Sequence, residues 1–514
     1  MDFRDPATTQ QISGAIPEHQ AAFTSLCAEV DLPALPIEGK FPQWLSGQLL
    51  RNGPGTFEAG DDLLRHQFDG PAMFHRFGFR DGQVSYANRF CRSPMFAYIE
   101  KHHRLGNTTF GTPVGRETMQ RLREEAARGD APAVNPSVAF MEIAGDIYAT
   151  TDGSTIPVRI EPDTLETLGP LVWDDVLQKQ DCAGNPVDQW RMRGTTGHWH
   201  RHPRDGSAIN YFVQPAHGEV KESYNFFRVP KGSVTREPIA SIPTDQSAFI
   251  HAFCVTDRYI ILPESPLRLD GALYASGGSV AGSVYWRKDT PMYLHIIDLI
   301  QKRLIRTIEV RPSYVMHTVN AYEDGDEIVL DMAVYDNGDH VWELGLDPAL
   351  RPAGGIFTEA RAPELRSHAK PYRYRLNPNT GAVGETLIAD VCVELATLDY
   401  AQRNGVRYGR FYATGIDDRP TSRFYNQLSS FDLTSGDYKT YSVDRHYLGE
   451  PVFVPRPGRT AESDGVLLSV GLDGVAGHSY LLALDPASLE PIAKALVPHA
   501  VPSGFHGYFI GSRA

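Results

Sequence analysis

Apolar residues recur along this chain in short, closely spaced blocks of β-branched, aromatic and aliphatic side chains, each bounded by turn formers. Residues 207–213, 258–262, 327–335, 466–472 and 480–484 are examples. Blocks this brief and of this composition predict strands, not helices. The punctuation between them agrees: Arg204-Asp205-Gly206, Glu323-Asp324-Gly325-Asp326 and Ser463-Asp464-Gly465 place Gly after Asp, the chemistry of tight hairpin turns. One stretch breaks the pattern. Residues 115–127 are charged, with few apolar positions, and predict a surface helix inserted between strands.

Many hairpins in 514 residues form either stacked sandwiches or a ring of radial blades. The 46 glycines and 37 prolines are spread throughout and mark no linker, so a single domain over 1–514 is expected, preceded by a short N-terminal extension of about residues 1–30. No blade-length sequence repeat is present. The choice between ring and sandwich therefore falls to the histidines.

Four of the 18 histidines, His198, His251, His317 and His506, stand at the ends of strand-like segments scattered over most of the chain. A propeller brings one inner strand of each blade to a common axis, where distant ligands can meet; a sandwich separates its ends. Four neutral imidazoles with no carboxylate suit Fe, Zn, Cu or Ni and leave two open positions on an octahedral ion. Open positions mean chemistry. The glycines flanking His506 permit close backbone approach to a crowded centre. A local rival exists in His198-Trp199-His200-Arg201-His202, where alternate histidines share one face of an extended strand and form a zinc clamp.

Charge and cysteine content narrow the partners. A formal net charge of −14 without clustered Lys and Arg argues against nucleic acid. The first residues carry charges and a proline where a secretory signal needs an apolar core, and no run approaches the roughly 20 apolar residues of a membrane span. A cytoplasmic chain is expected. Cys27, Cys91, Cys182, Cys254 and Cys392 are odd in number and form no Cys-x-x-Cys pair, so free thiols are expected. No nucleophile elbow, phosphate loop or dinucleotide fingerprint is present.

Further motifs bring a family into view. In chain order they are Leu50-Arg51-Asn52-Gly53-Pro54-Gly55, His66-Gln67-Phe68-Asp69-Gly70-Pro71-Ala72-Met73, Asp163-Thr164-Leu165-Glu166-Thr167-Leu168-Gly169, the contexts of the last three histidines, Val393-Glu394-Leu395, Gly449-Glu450-Pro451-Val452-Phe453-Val454-Pro455 and Glu462-Ser463-Asp464-Gly465. With these, the chain resembles the carotenoid cleavage oxygenases, a family that includes carotenoid dioxygenases, the retinoid isomerohydrolase and lignostilbene dioxygenases. The resemblance implies an all-β, seven-bladed propeller with a loop and helix cap over one axial Fe(II) held by His198, His251, His317 and His506. It implies no catalytic residue beyond that centre, and O2 as co-substrate. Three carboxylates, Asp152, Glu394 and Glu450, are implied as hydrogen-bond partners of His251, His317 and His506, leaving His198 without one. Asp152 departs from the family's glutamate. So do Ala252, Pro71-Ala72 and His202 from the residues usual at their positions.

The implied reaction is oxidative cleavage of a conjugated C=C bond to two carbonyl products. Phe96, Tyr98, Phe110, Tyr285 and Trp286 are candidates for an apolar substrate tunnel. The absence of a Tyr-Arg-Asn-Pro segment after Phe96-Ala97-Tyr98 leans the substrate toward a carotenoid or apocarotenoid and away from a stilbene or phenylpropene. Such a substrate comes from a membrane, so peripheral contact with its inner face is expected without a spanning helix. No protein partner is implied. A zinc hydrolase, an isomerase and a binding propeller without chemistry remain the alternatives.

Overall fold

The structure, a computed structural model, describes residues 18–128, 134–185, 194–346 and 362–512. Seven antiparallel sheets are arranged as the blades of a propeller. Blade 1 holds Val30–Leu32, Gly47–Pro54, Ala72–Arg80, Gln83–Phe90 and the last strand of the chain, Gly507–Gly511. Blade 2 runs from Ala139–Ile143 to Glu166–Pro170, blade 3 from His200–Arg201 to Glu237–Pro243, and blade 4 from Cys254–Val255 to Arg303–Val310. Blade 5 runs from Tyr314–Asp324 to Val383–Leu387 and blade 6 from Glu394–Thr397 to Asp437–Ser442. Blade 7 runs from His446–Leu448 to Pro491–Leu496 and takes Ile37–Gly39 as its outer strand.

Both ends of the chain therefore close the ring. Gly507–Gly511 pairs with Gly47–Pro54, Gly47 opposite Gly511, and Ile37–Gly39 pairs with Pro491–Leu496.

The period of two along each strand builds the core between blades. In Tyr259–Glu264 of blade 4, Ile260 and Leu262 pack toward blade 3, while Tyr259 and Ile261 pack toward blade 5. Central strands are thus apolar on both faces; Ala208–Gln214 is buried at every position. Outer strands such as Val383–Leu387 are exposed throughout. Burying roughly 25 cal/mol per Å2 of apolar surface at each blade interface is what holds the ring.

The turns follow the expected chemistry in two of three cases. Gly206 and Gly325 adopt φ of +71° and +64°, the left-handed region that glycine enters freely. Gly465 does not turn. It opens the strand Gly465–Asp473, where a Cβ would lie 2.4 Å from the carbonyl oxygen of Val454, so glycine is needed there for close approach.

The charged stretch is a helix, Arg116–Ala127. A second helix, Pro94–His102, begins at Ser93, whose hydroxyl accepts the Phe96 N–H, with proline in its first turn. The expected N-terminal extension lies partly outside the described residues; from Glu18 onward the 3-10 turn Glu18–Phe23 packs inward, burying His19, Ala22 and Phe23. Of the cysteines, Cys91, Cys254 and Cys392 are buried, Cys27 is exposed, and all five are free. Among the described residues no helix is long and apolar enough to cross a membrane.

Candidate metal centre

Each blade sends one polar side chain to the axis, at the end of a strand or where one loses regularity. His198, His251 and His506 precede the first strand of blade 3, the first strand of blade 4 and the closing strand of blade 1. His317 lies inside Tyr314–Asp324, where the register shifts on both sides of Thr318, so a bulge aims the ring inward. Blade 2 contributes Asp152 at the end of its hairpin strand Asp146–Thr151. Blade 6 contributes Glu394, followed by Leu395 at φ 48° and a register shift before Thr397. In blade 7 the innermost edge is split into His446–Leu448 and Val452–Pro455, and Glu450 occupies the break beside Pro451.

The four histidines meet. One ring nitrogen from each falls within 4.8 Å of the others. Five of the six ring pairs have centroids 4.2 to 5.1 Å apart, and His251 and His506 face each other at 6.3 Å. The Nε2 atoms of His198 and His251 are 2.9 Å apart, and those of His317 and His506 are 3.3 Å apart. Two nitrogens each about 2.1 Å from one first-row ion, and at right angles, are about 3.0 Å apart. The spacing fits a shared divalent ion.

Three carboxylates fix which nitrogen faces inward. The Nδ1 atoms of His251 and His317 are hydrogen-bonded to Asp152 and Glu394, and Nδ1 of His506 is 2.7 Å from Glu450. A donor at Nδ1 leaves the Nε2 lone pair toward the axis. Asp152, although one methylene shorter than glutamate, reaches His251 directly, because its other oxygen is anchored by the Gly197 N–H at 2.7 Å. Among the described residues no carboxylate is hydrogen-bonded to His198. The backbone N–H of His198 donates to Thr196 Oγ1 at 2.9 Å, and that hydroxyl bonds the carbonyl of His251.

Burial and close pairing shift four of these groups. Burial, followed by the neighbouring His506, His251 and His317, holds His198 well below the ordinary histidine value. Burial also lowers His506, against the opposing pull of Glu450. Burial alone would raise Glu394, but the charge and hydrogen bond of His317 bring it down to about 2. Glu450 is likewise lowered despite burial, by His506, Arg51 and the Gly507 N–H. Arg51 Nη1 donates to Glu450 at 2.6 Å in a pair that is almost fully buried. The role of Arg51 escaped the sequence reading, although it stands in the first motif quoted.

The local zinc clamp does not form. His200 turns to Asn404 and packs on Phe253, while His202 bonds the carbonyl of Asp257 at 2.8 Å. The strand there is only two residues long, too short to keep alternate side chains on one face.

A cavity of about 1120 Å3 opens onto the centre, above the roughly 300–1,000 Å3 of ordinary small-molecule sites. Of the five expected tunnel aromatics, Phe110 lines it and packs on Phe68 and Phe249. The other four stand elsewhere, a correction to the tunnel assignment. Phe96 packs on Met73 and Phe90, and Tyr98 lies against His102. Tyr285 is 41% exposed and bonds Gln246, and Trp286 packs in the core beside Leu267. Phe68, Phe249, Phe424 and Phe505 line the wall instead. Phe68 and Phe505 had a signal, since each adjoins a quoted motif; Phe249 and Phe424 had none.

Seven blades around an axial cluster of four histidines define a metal-centre propeller. Residues 23–511 match the profile of the retinal pigment epithelial membrane protein (RPE65) family. The chain belongs to this family, that of the carotenoid oxygenases, whose carotenoid-cleaving dioxygenase members are oxidoreductases. It is 28% identical to a mitochondrial carotenoid-cleaving dioxygenase of Mustela putorius furo, over 92% of this chain and 93% of that one. It is 28% identical to a carotenoid isomerooxygenase of Galleria mellonella, over 93% of each. The fold matches that of cobalt-substituted Synechocystis apocarotenoid oxygenase with a TM-score of 0.77, at 23% identity over 96% of this chain and 98% of that one.

Proposed function

We propose that this chain is a non-haem Fe(II) dioxygenase that cleaves a conjugated C=C bond of a carotenoid or apocarotenoid into two carbonyl products. The observation that carries the reading is the convergence of four imidazoles, three of them oriented by carboxylates. His198, His251, His317 and His506 are the ligands. Bound there, Fe(II) supplies the redox chemistry by which O2 adds across the alkene.

The chain's own residues orient and exclude. Asp152, Glu394 and Glu450 hold the protons of three imidazoles at Nδ1, so that the Nε2 lone pairs of His251, His317 and His506 face the axis beside His198. Phe68, Phe110, Phe249 and Phe505 present flat apolar faces to a polyene, desolvate the alkene and fix it against the centre. No side-chain acid or base is required, and the reading places none. A stilbene or phenylpropene cleaved at the same site is the second reading, since the centre acts on an alkene of either kind. Peripheral membrane contact belongs to the proposal too. Leu273, 46% exposed, adjoins the cavity-lining Tyr274 and Ala275 and is where an apolar surface would be met.

The test is oxygen consumption by Fe(II)-loaded protein with β-carotene, an apocarotenal, a hydroxystilbene and isoeugenol, with His317→Ala as blank. Uptake with aldehyde products, absent in the variant, is the expected result. Bound iron with no uptake on any compound would overturn the oxygenase reading in favour of an isomerase or a binding role.

A further inference from the structure

Two polar groups on the cavity wall find no partner among the described residues. The side-chain oxygen of Gln67, a residue 5% exposed, accepts no hydrogen bond, and Nδ1 of His340, a residue 1% exposed, makes none. Both residues line the cavity. They lie on segments fastened together: Nε2 of His66 donates to the Val341 carbonyl at 3.0 Å, and the Gln67 N–H donates to the Leu344 carbonyl at 3.4 Å. His340 is held from its other side, with Nε2 3.3 Å from the Tyr425 hydroxyl and its ring stacked on Tyr335. It stands within electrostatic range of His317 and Glu394. Phe68, next to Gln67, packs on Phe505, next to His506. Gln67 and His340 therefore line the cavity from two segments bonded to each other, near the axial histidines.

Buried polar atoms are nearly always paired, and those on a cavity wall take their partners from what the cavity holds, water or ligand. The geometry points to a seat formed by Gln67 and His340 for a hydroxyl group carried by an otherwise apolar conjugated alkene. This inference rests on the function proposed above. A hydroxyl is the group that answers both atoms. The amide oxygen needs a donor, which a carbonyl, ether or carboxylate cannot supply, and the imidazole nitrogen donates or accepts according to its tautomer. With Tyr425 donating to Nε2, Nδ1–H donates to the substrate oxygen while the substrate O–H donates to Gln67. A hydroxylated apocarotenoid and a hydroxystilbene both bring this chemistry.

Equilibrium binding separates the seat from the reaction. Quenching of tryptophan fluorescence is titrated under nitrogen for a hydroxylated apocarotenoid and a hydroxystilbene, each against its deoxy counterpart. Wild type should prefer the hydroxylated member of one pair by about tenfold to a hundredfold, the range expected of one or two hydrogen bonds. Gln67→Leu and the volume-matched Gln67→Met should both lose that preference by weakening the hydroxylated ligand while keeping the deoxy one, with unchanged circular dichroism. The pair that shows the preference identifies the substrate source. Equal affinities within both pairs in wild type, no binding of either hydroxylated compound, or a preference that survives in both variants would overturn the seat. Failure of the cleavage reading appears separately, as binding without oxygen uptake.

Discussion

At the scale of single residues, the centre depends on charges buried in pairs. Arg51 and Glu450 leave water together, and Glu450 in turn holds His506. Removing one member strands the other. Arg51→Met should therefore lower stability by about 3–5 kcal/mol, the usual cost of breaking a buried pair from one side, read as a shift in the urea midpoint. Glu394→Gln acts more narrowly. It keeps volume but gives up the carboxylate that fixes His317, and should weaken metal affinity by about 10- to 100-fold in a chelator competition while leaving the unfolding midpoint of the metal-free protein nearly unchanged. An equal affinity in the variant would mean that His317 keeps its orientation without the acid.

At the scale of elements, glycine inside a blade does different work from glycine on its rim. A Cβ at Gly465 would meet the Val454 carbonyl at 2.4 Å, whereas one at Gly384, on the exposed strand Val383–Leu387, would meet nothing within 4 Å. Gly465→Ala should cost about 1–3 kcal/mol and Gly384→Ala less than about 1, compared by thermal unfolding of the two variants. The same contrast explains what the sequence made legible. Strands such as Glu327–Tyr335 could be read directly, because alternation and flanking turns are local signals. The histidines could be read because their side-chain chemistry is rare and each borders a strand. The pairing of Asp152 with His251 could not be found from spacing, since it joins blade 2 to blade 4, and only the resemblance offered it. The cavity aromatics were the weakest reading. Loop residues carry no period that says which way a ring points, so Phe96 and Tyr98 looked as suitable as Phe110.

For the whole molecule, acid should act through buried neutral histidines that are not among the centre's ligands. Burial holds His66 and His75 down to about 3. The unfolded chain titrates each near 6.5, so below that pH it binds protons that the folded chain refuses. Their contribution is complete above pH 6.5 and is lost progressively as the pH falls toward 3, at about 1.4 kcal/mol per pH unit for each histidine. Urea midpoints at pH 7.5 and 7 should agree on this account, and those at pH 6 and 5 should fall in order. A flat profile between pH 7 and 5 would show that the two rings are protonated without penalty.

The ring is closed by Gly507–Gly511 pairing with Gly47–Pro54, and His506 stands at that strand's threshold. A chain in which that strand has not docked brings only three of the four imidazoles to the axis and leaves blade 1 without its inner strand. It can hold neither the complete ligand set nor a sealed path around the axis. The complete ligand set thus comes into being only with the closed ring, so the centre and the walls around it form in one step.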